Sequence, residues 1–344
     1  MPLTQTSFTA CALISCISFV TSFIFDPSTS KNSLLNRKTE LCSVSLKKHD
    51  LQHRSAMHLS HKIQMSSDLP IPRYSIVFMR HGESEWNNEN IFTGWVDVPL
   101  TKKGENEAKA AGQLMKEEGM EFDIVYTSYL KRAIKTSWKV LDEMNLTFVP
   151  VQKDWKLNEQ MYGNLEGRNK VQCVLEHGLE KVQKWRRSYE IAPPEKEGDG
   201  YFPANDPKYA SFTDDDAPDS WCGKPQTESL KDTQSRAWRL WREEIAPSLR
   251  QGKKVLVCCH GNTLRALLRR LDSISNEELM QLDIPRAVPL IYTLDKNMKP
   301  IKHSRSMLPL SGRFIGDIAE VRSMSLIGNL HLFKSPDFYI THFV

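Results

Sequence analysis

Beyond its first 30 residues, the sequence contains no run of eighteen uncharged apolar residues, so we predict no membrane-spanning helix and no membrane attachment of the mature form. The seven cysteines show neither C-x-x-C spacing nor a paired framework, which argues against a zinc site and a disulfide scaffold. The net charge of +4 is too small to indicate a nucleic-acid partner. No internal repeat or low-complexity tract is evident. What is left is an ordinary globular composition, 40% apolar and 26% charged.

The first 70 residues have the composition of a targeting leader. Residues 1–25 carry no charged side chain and contain the run FTACALISCISFVTSFIF, which resembles the core of a secretory signal. Residues 27–66 are basic, rich in Ser and poor in acids. Together the two stretches resemble the two-part leaders that algae with secondary plastids use. We therefore expect an organellar protein, in a plastid or alternatively in a mitochondrion. A plain disordered extension is the other interpretation.

After the leader, strand and helix patterns alternate along the chain. YSIVFM (74–79), DIVYTS (123–128) and KKVLVCC (253–259) have the pattern of buried strands, and amphipathic helices follow them. The alternation predicts an α/β fold in three layers, a doubly wound and mostly parallel sheet with helices on both faces. Residues 160–228 are irregular and polar, which indicates an insertion that caps one end of the sheet. We expect a leader (1–70), a main domain (71–320) and an atypical C-terminal tail (321–344).

Capping residues indicate where the helices begin. Thr101 is predicted to cap a helix that Gly119 ends, and another helix is expected over about 129–144. The insertion contains one clear helical pattern, at about 179–189. A long amphipathic helix is expected within 227–250. A further helix is predicted to begin at Thr263, with Asn262 as its cap and its free amides facing a ligand.

Two of the predicted strands end in the same way. The first leads into Arg80, His81 and a glycine, and the third leads into His260 and Gly261. Ligands of open α/β sheets bind beyond the carboxyl ends of the strands, and each glycine lets the backbone approach a ligand closely. Arg132 is expected near the same edge, on the first turns of the helix that follows the second strand. One histidine after a strand is usually structural, but two such junctions in one chain predict a shared site.

Two imidazoles with nearby guanidinium groups suit a small dianion such as a phosphoryl group. A neutral imidazole can attack phosphorus, and cations stabilise the charge on the equatorial oxygens in the transition state. Arginine makes bidentate contacts to such oxygens, so we expect no metal ion. The departing hydroxyl needs a proton donor, and Glu159 is the best-placed candidate, although a single Glu in a polar loop is ordinarily just solvated. Glu83 is expected to pair with a backbone amide or an arginine instead.

Five segments resemble a known family. They are VFMRHGESEWNNENIFTGWVDVPLTKKGENEAKAAG, YTSYLKRAIKT, KLNEQMYGNLEGRNK, VQKWRRSYEIAPP and CCHGNTLRALLRRL. In this order they resemble the cofactor-dependent phosphoglycerate mutases of the histidine phosphatase superfamily, over about residues 73–300. FTGWVDVPLT and WRRSYEIAPP are similar to the mutase branch rather than to generic phosphatases.

The resemblance implies the glycolytic and gluconeogenic interconversion of 3-phosphoglycerate and 2-phosphoglycerate, primed by 2,3-bisphosphoglycerate and without a metal. It implies His81 as the phosphorylated nucleophile and Glu159 as the proton donor and acceptor. His260, Arg80 and Arg132 would hold the transferred group. The other implied substrate residues are Ser84, Asn87, Thr93, Gly94, Tyr162, Lys170, Arg186, Arg187, Gly261 and Asn262. Relatives are often dimers or tetramers, so the resemblance also implies a homo-oligomer.

The sequence departs from the family in two places. The family usually has Arg and His after the catalytic Glu, where this chain has Gln160 and Met161. Loss of a charged hydrogen bond to a bound anion costs roughly 1.5–3 kcal/mol, so a weakened enzyme rather than an inactive one is expected. The final twenty residues also differ from the family's tail, which helps to cover the site, so lid closure by the tail is not implied.

Three functions stay open on the sequence alone. The first is the mutase, which the cations of the insertion favour because a mutase must retain its bisphosphate while it reorients. The second is a histidine phosphatase acting on a small phosphorylated metabolite, in which water accepts the phosphoryl group. The third is a weakly active or non-enzymatic relative, which Gln160, Met161 and the tail suggest.

Overall fold

The strands predicted from the sequence lie side by side in one sheet. The computed structural model describes residues 70–196, 206–209 and 227–316. Four of its strands pair in parallel in the order β3-β2-β4-β1. They are β1 (Tyr74–Arg80), β2 (Ile124–Thr127), β3 (Val151–Lys153) and β4 (Val255–Cys259). The predicted α/β fold with a mostly parallel sheet is confirmed.

An antiparallel edge, which the sequence analysis did not predict, extends the sheet beyond β1. β5 (Leu290–Leu294) pairs antiparallel with β1, and it in turn pairs with the two short strands β6 (Pro300–Ile301) and β7 (Arg313–Phe314). Residues of β5 alternate between buried and half-buried, the period of two that a strand requires.

Helices cover the sheet, and two of those described lie in the cap. They are α1 (Glu85–Asn88), α2 (Lys102–Glu117), α3 (Lys131–Glu143), α4 (Lys170–His177), α5 (Leu179–Arg187), α6 (Leu230–Leu240), α7 (Ala246–Arg250), α8 (Gly261–Asp272) and α9 (Asn276–Gln281). The hydroxyl of Thr101 accepts a hydrogen bond from the Gly104 amide, and Gly119 follows the end of α2 with φ +66°, as the capping signals predicted. A π-helical turn (Trp241–Ile245) joins α6 to α7 just before Pro247, which has no N–H for the regular ladder.

Successive residues of the central strands belong to cores on opposite faces of the sheet. Phe78 of β1 and Val257 of β4 pack in the core that contains residues of α6 and α8. Met79 and Cys258, the next residue of each strand, pack in the core that contains residues of α2 and α3. Because both faces are covered, these strands are apolar throughout, and the three layers follow.

The described part of the insertion contains two helices where one was predicted. α4 and α5 are separated by Gly178, which has φ +82°, and they pack around the buried side chains of Phe92, Leu165 and Trp185. Asn169 caps α4 by accepting a hydrogen bond from the Val171 amide at 2.9 Å. α4 was missed because its eight residues are too few for a clear period of 3.6.

Several predictions fall on other parts of the chain. The leader, apart from residue 70, and the tail at 321–344 lie outside the described residues, as does much of the insertion after residue 196. None of the helices in the described ranges is long and apolar enough to cross a bilayer.

Candidate active site

The parallel pairing of β1 with β4 brings the two histidines together. Arg80 and Cys259 are partners in the register, so His81 and His260 are the first residues after paired strand ends. The His81 amide donates to the Cys259 carbonyl at 3.0 Å, and the two imidazole centroids lie 5.0 Å apart. The site therefore lies at the carboxyl edge of the sheet, between adjacent strands.

The surroundings of His81 leave it a neutral imidazole with one free ring nitrogen. Its Nδ1 lies 2.7 Å from the Gly82 carbonyl, and since a carbonyl only accepts, Nδ1 carries the proton. The unprotonated nitrogen is then Nε2. Burial lowers the pKa of His81 well below its usual range, and the charges of Arg132 and Arg80 lower it further. At neutral pH the Nε2 lone pair is available to attack an electrophile.

His260 is a second buried imidazole with an unpartnered nitrogen. Burial, followed by the charge of Arg132, lowers the pKa of His260 well below its usual range. Its Nε2 lies 2.8 Å from the hydroxyl of Ser128. Its Nδ1 is buried and has no hydrogen-bond partner among the described residues. A buried polar atom without a partner is costly, so His260 Nδ1 indicates where a ligand atom belongs.

The two predicted arginines differ in what their guanidinium groups contact. Arg132 is fully buried and donates to the carbonyls of Gly94 at 2.8 Å and Val96 at 2.9 Å, so it holds this loop against the site. Burial lowers the pKa of Arg132 to about 10. Arg80 donates from Nη1 to the Ile284 carbonyl at 2.9 Å, while its Nε is buried without a partner in the described ranges. A side chain at Gly261 would place its Cβ 3.3 Å from this guanidinium group, so the glycine permits the contact.

The carboxylate of Glu159 is fixed by two backbone amides. Its Oε1 accepts from Asn262 N at 3.1 Å and from Gln160 N at 3.0 Å. Its Oε2 accepts no hydrogen bond from any described residue. The prediction of a free helix N-terminus capped by Asn262 was wrong. α8 begins at Gly261, Glu159 accepts the Asn262 amide hydrogen, and the Asn262 side chain donates to Tyr162 Oη at 2.7 Å.

The segment that carries Glu159 is held by an arginine that the sequence analysis did not single out. Arg236 is buried and donates from Nη1 to the carbonyls of Lys156 and Asn158, and from Nη2 to that of Glu159 at 2.8 Å. Its Nε and Nη2 also donate to the buried carboxylate of Glu228, at 2.6 and 2.9 Å. Arg236 thus positions the backbone that presents Glu159.

Gln160 and Met161, the residues that depart from the family pattern, have buried side chains. Gln160 is buried, donates to the Glu228 carbonyl at 2.8 Å and accepts from the Asn262 side chain at 2.8 Å. Met161 packs in a buried aromatic cluster with Trp95 and Trp155. Both side chains are held by buried contacts, and the expected weakening of the enzyme by the change at residue 160 stays a prediction.

A cavity of about 310 Å³ opens above this edge of the sheet. Ten of the predicted residues form its walls: Arg80, Asn87, Thr93, Gly94, Glu159, Tyr162, Lys170, Arg186, Arg187 and Asn262. Five predicted residues are not among the lining residues: His81, Ser84, Arg132, His260 and Gly261. Of these, Ser84 caps α1, where its hydroxyl accepts the Asn87 amide hydrogen. The walls also contain residues that we did not predict: Ile91, Phe92, Lys103, Glu107, Asp283, Pro285 and Arg286.

The cap contributes cations that have few anionic partners. Burial, then the charge of Arg186, lowers the pKa of Lys170 well below its usual range. Burial, then Arg187, lowers the pKa of Arg186 to about 10, and Arg186 Nη1 is buried with no partner among the described residues. Arg187 donates to the Leu282 carbonyl at 3.0 Å and pairs with the carboxylate of Asp283 at 3.4 Å. These cations fit an anionic ligand that reaches from the histidines to the cap.

Glu166 is a buried carboxyl beside the cavity that the sequence analysis missed. Its Oε1 accepts from the amides of Trp95 at 3.0 Å and Tyr162 at 3.1 Å. A Cβ at Gly94, which has φ +53°, would lie 1.7 Å from the same oxygen, so only glycine fits there. Burial raises the pKa of Glu166 from 4.5 to about 7.

We expect Glu166 to make the folded state less stable as the pH rises. Because the pKa is raised by folding, the contribution is fully present below pH 4.5 and is lost as the pH passes about 7. At about 1.4 kcal/mol per pKa unit, the loss amounts to at most about 3.5 kcal/mol. In E166Q, the amide oxygen can still accept both hydrogen bonds but cannot ionise. Denaturant unfolding at pH 5 and pH 8 should show a larger fall for the wild type than for E166Q. Equal falls would mean that Glu166 is already ionised at pH 5.

The fold and the site define an α/β protein that presents two neutral histidines, several arginines and one carboxylate at a single sheet edge. The chain matches the profile of the histidine phosphatase superfamily (branch 1) over residues 76–202 and 203–304, and it belongs to this superfamily.

Several solved structures are similar to this chain, and the two with TM-scores of 0.50 and 0.51 agree with its fold. A mycobacterial glucosyl-3-phosphoglycerate phosphatase in complex with VO3 has a TM-score of 0.50 and 19% identity, over 71% of this chain and 98% of that chain. A protein described as mycobacterial hydrolase 1 has a TM-score of 0.51 and 20% identity, over 66% and 95% of the two chains. An α-ribazole phosphatase from Shigella flexneri has a TM-score of 0.47 and 22% identity, over 71% and 98%. The chain therefore has the family and the fold of the histidine phosphatase superfamily.

Proposed function

We propose that the protein interconverts 3-phosphoglycerate and 2-phosphoglycerate through a phosphorylated His81, primed by 2,3-bisphosphoglycerate. The observation that carries the proposal is the excess of positive charge in the cavity beyond what one phosphoryl group needs. Six Lys and Arg residues line it, against three Asp and Glu residues. Arg80 Nε and Arg186 Nη1 are buried donors without partners in the described part of the chain. A ligand with acidic groups at both ends supplies acceptors for both.

The bisphosphate brings the phosphoryl group that the unmodified enzyme lacks. His81 Nε2 accepts this group, so that an N–P bond forms as a P–O bond breaks. Glu159 protonates the departing alkoxide oxygen in that direction and removes the proton of the attacking hydroxyl in the reverse direction. Glu159 Oε1 is held by two amides, and Oε2 is the oxygen left to exchange the proton. Arg80 and His260 donate hydrogen bonds to the equatorial oxygens, while Arg132 contributes positive charge from behind the loop.

Phosphatase activity is the second candidate. The named similar structures include phosphatases, and in such a reaction water would take the phosphoryl group from His81. The cations contributed by Lys170, Arg186 and Arg187 favour the mutase, since they would hold a bisphosphate in the cavity while it reorients. A non-enzymatic relative is the least favoured, because His81, Glu159 and His260 are assembled at one edge of the sheet.

One assay separates these functions. Purified protein lacking the leader is given 3-phosphoglycerate, with and without a catalytic amount of 2,3-bisphosphoglycerate. We expect 2-phosphoglycerate to form, and we expect the bisphosphate to stimulate its formation. Net release of inorganic phosphate without isomerisation would support the phosphatase. Absence of both products would contradict the two enzymatic proposals.

A further inference from the structure

Arg286 is a cavity-lining cation that no sequence motif indicated. It lies in the segment 284–287, which is pinned to the end of β1 from both sides. Arg80 Nη1 donates to the Ile284 carbonyl at 2.9 Å, and the Ala287 amide donates to the Arg80 carbonyl at 2.9 Å. Arg286 is therefore held next to Arg80, and its side chain forms part of the wall.

The acidic neighbours of Arg286 leave part of its guanidinium group without partners. Nη2 lies 3.3 Å from Glu83 Oε2, and Nε lies 3.9 Å from Glu107 Oε2, too far for a hydrogen bond. Lys103 shares both carboxylates, at 3.0 Å from Glu83 and 3.9 Å from Glu107. Arg286 Nε is buried without a hydrogen-bond partner in the described ranges. The Glu83–Arg286 contact also confirms the prediction that Glu83 pairs with an arginine.

Three buried guanidinium nitrogens of this cavity lack partners among the described residues: Arg80 Nε, Arg186 Nη1 and Arg286 Nε. Each unsatisfied buried donor costs roughly 1–3 kcal/mol, so their presence in one cavity indicates a ligand with several acceptor oxygens. Arg286 lines the cavity together with Lys170 and Arg186 of the cap, whereas the two histidines are not among its lining residues. A cation that shares the wall with the cap suits the part of the ligand that does not react.

We infer that Arg286 binds the non-reacting acidic group of the substrate, and thereby selects phosphorylated carboxylic acids and bisphosphates over simple phosphate monoesters. The inference rests on the proposed function for the identity of the cavity as the substrate site. It adds a specificity residue from the segment before β5, outside all the motifs from which the site was predicted.

The test compares two ligands that differ in a single group. 3-Phosphoglycerate and glycerol 3-phosphate share a three-carbon chain and a phosphate, and only the first has a carboxylate. Binding is measured by calorimetry in the H81A background, in which no phosphoryl group can be transferred to His81. We expect R286Q to raise the Kd of 3-phosphoglycerate by about 10- to 100-fold, the value of one charged hydrogen bond. The Kd of glycerol 3-phosphate should change by less than about twofold, and R286K should restore part of the loss.

Arg313 provides a matched control. Its side chain is 17% exposed, compared with 19% for Arg286, and it also pairs with a glutamate, Glu118, at 2.8 Å. R313Q should alter neither Kd, because Arg313 does not line the cavity. R286Q should fold, because Glu83 keeps Lys103 as a partner, and a thermal unfolding curve checks this.

Other outcomes would overturn the inference. Equal losses of affinity for both ligands would mean that Arg286 acts on the phosphoryl group or on folding. If R286Q lost no affinity for either ligand, Arg286 would serve only as an ion-pair partner of Glu83. The proposed function is tested separately by the isomerisation assay. If binding discrimination depends on Arg286 while the wild type produces no 2-phosphoglycerate, the inference stands and the proposed function fails.

Discussion

H81A is expected to lose phosphoryl transfer by at least about 10⁴-fold, since the side chain that forms the covalent bond is gone. No neighbouring group can replace it. The Nε2 atom of His260 is hydrogen-bonded to the hydroxyl of Ser128. Its other ring nitrogen, Nδ1, is buried and has no partner among the described residues. Isomerisation of 3-phosphoglycerate and the release of phosphate should both disappear, because the two proposed reactions share the first step.

Labelling with ³²P measures the same step directly. Wild-type protein incubated with labelled 2,3-bisphosphoglycerate should acquire an acid-labile, base-stable adduct, and H81A should acquire none. H303A is the control, because His303 is a half-exposed residue between β6 and β7 and should leave labelling and turnover unchanged. Normal labelling of H81A would mean that the nucleophile has been misassigned.

The largest loss of stability is expected at Arg236. Replacing it by Met leaves the carboxylate of Glu228 buried without its cation and removes one donor from each of three carbonyls. Breaking one side of a buried ion pair typically costs about 3–5 kcal/mol. We expect R236M to lower the free energy of unfolding by that amount in urea denaturation, and to weaken turnover because the backbone of Glu159 is released.

Arg239, on the same helix, gives the matched comparison. It pairs with Glu243 at 3.1 Å, but the two side chains are 39% and 50% exposed. R239M should cost no more than about 0.5 kcal/mol. The double variant E228M/R236M should be less destabilised than R236M, because it removes the uncompensated charge as well. A cost below about 1 kcal/mol for R236M would contradict the account of Arg236 as the residue that holds this segment.

The sequence was sufficient for those parts of the site that depend on local pattern. A buried strand followed by His and Gly can be recognised at residues 76–82 and 255–261, and parallel pairing then places both imidazoles at one edge. The cap of α2 at Thr101 is equally local, since the donor lies three residues away. The strand ends and the cap can be recognised locally, whereas the adjacency of β1 and β4 depends on how distant segments pair.

Other parts could not be predicted because they depend on contacts between distant segments. Arg236 lies within an amphipathic helix and looks like any cation there, yet it bonds to a carbonyl 77 residues away. Arg286 reaches the cavity only because residues 284–287 lie beside the end of β1 in the folded chain. The side chain of Asn262 was expected to cap a helix, but it faces Tyr162, 100 residues earlier. Contacts between distant segments determine the position of each of these three side chains, and the local sequence does not indicate those contacts.

The imidazoles of His81 and His260 take their spacing from the hydrogen-bonded ladder between β1 and β4. The cavity walls come instead from loops, the cap and the segment before β5. Two neighbouring parallel strands lie at a fixed distance set by their backbone hydrogen bonds, and mutation of surrounding side chains hardly alters this distance. In this architecture, divergence toward new substrates is therefore confined to the walls, while the imidazoles keep their separation. The backbone pairing preserves the arrangement of the two imidazoles, whereas substitutions in the cavity walls can change which substrate is bound.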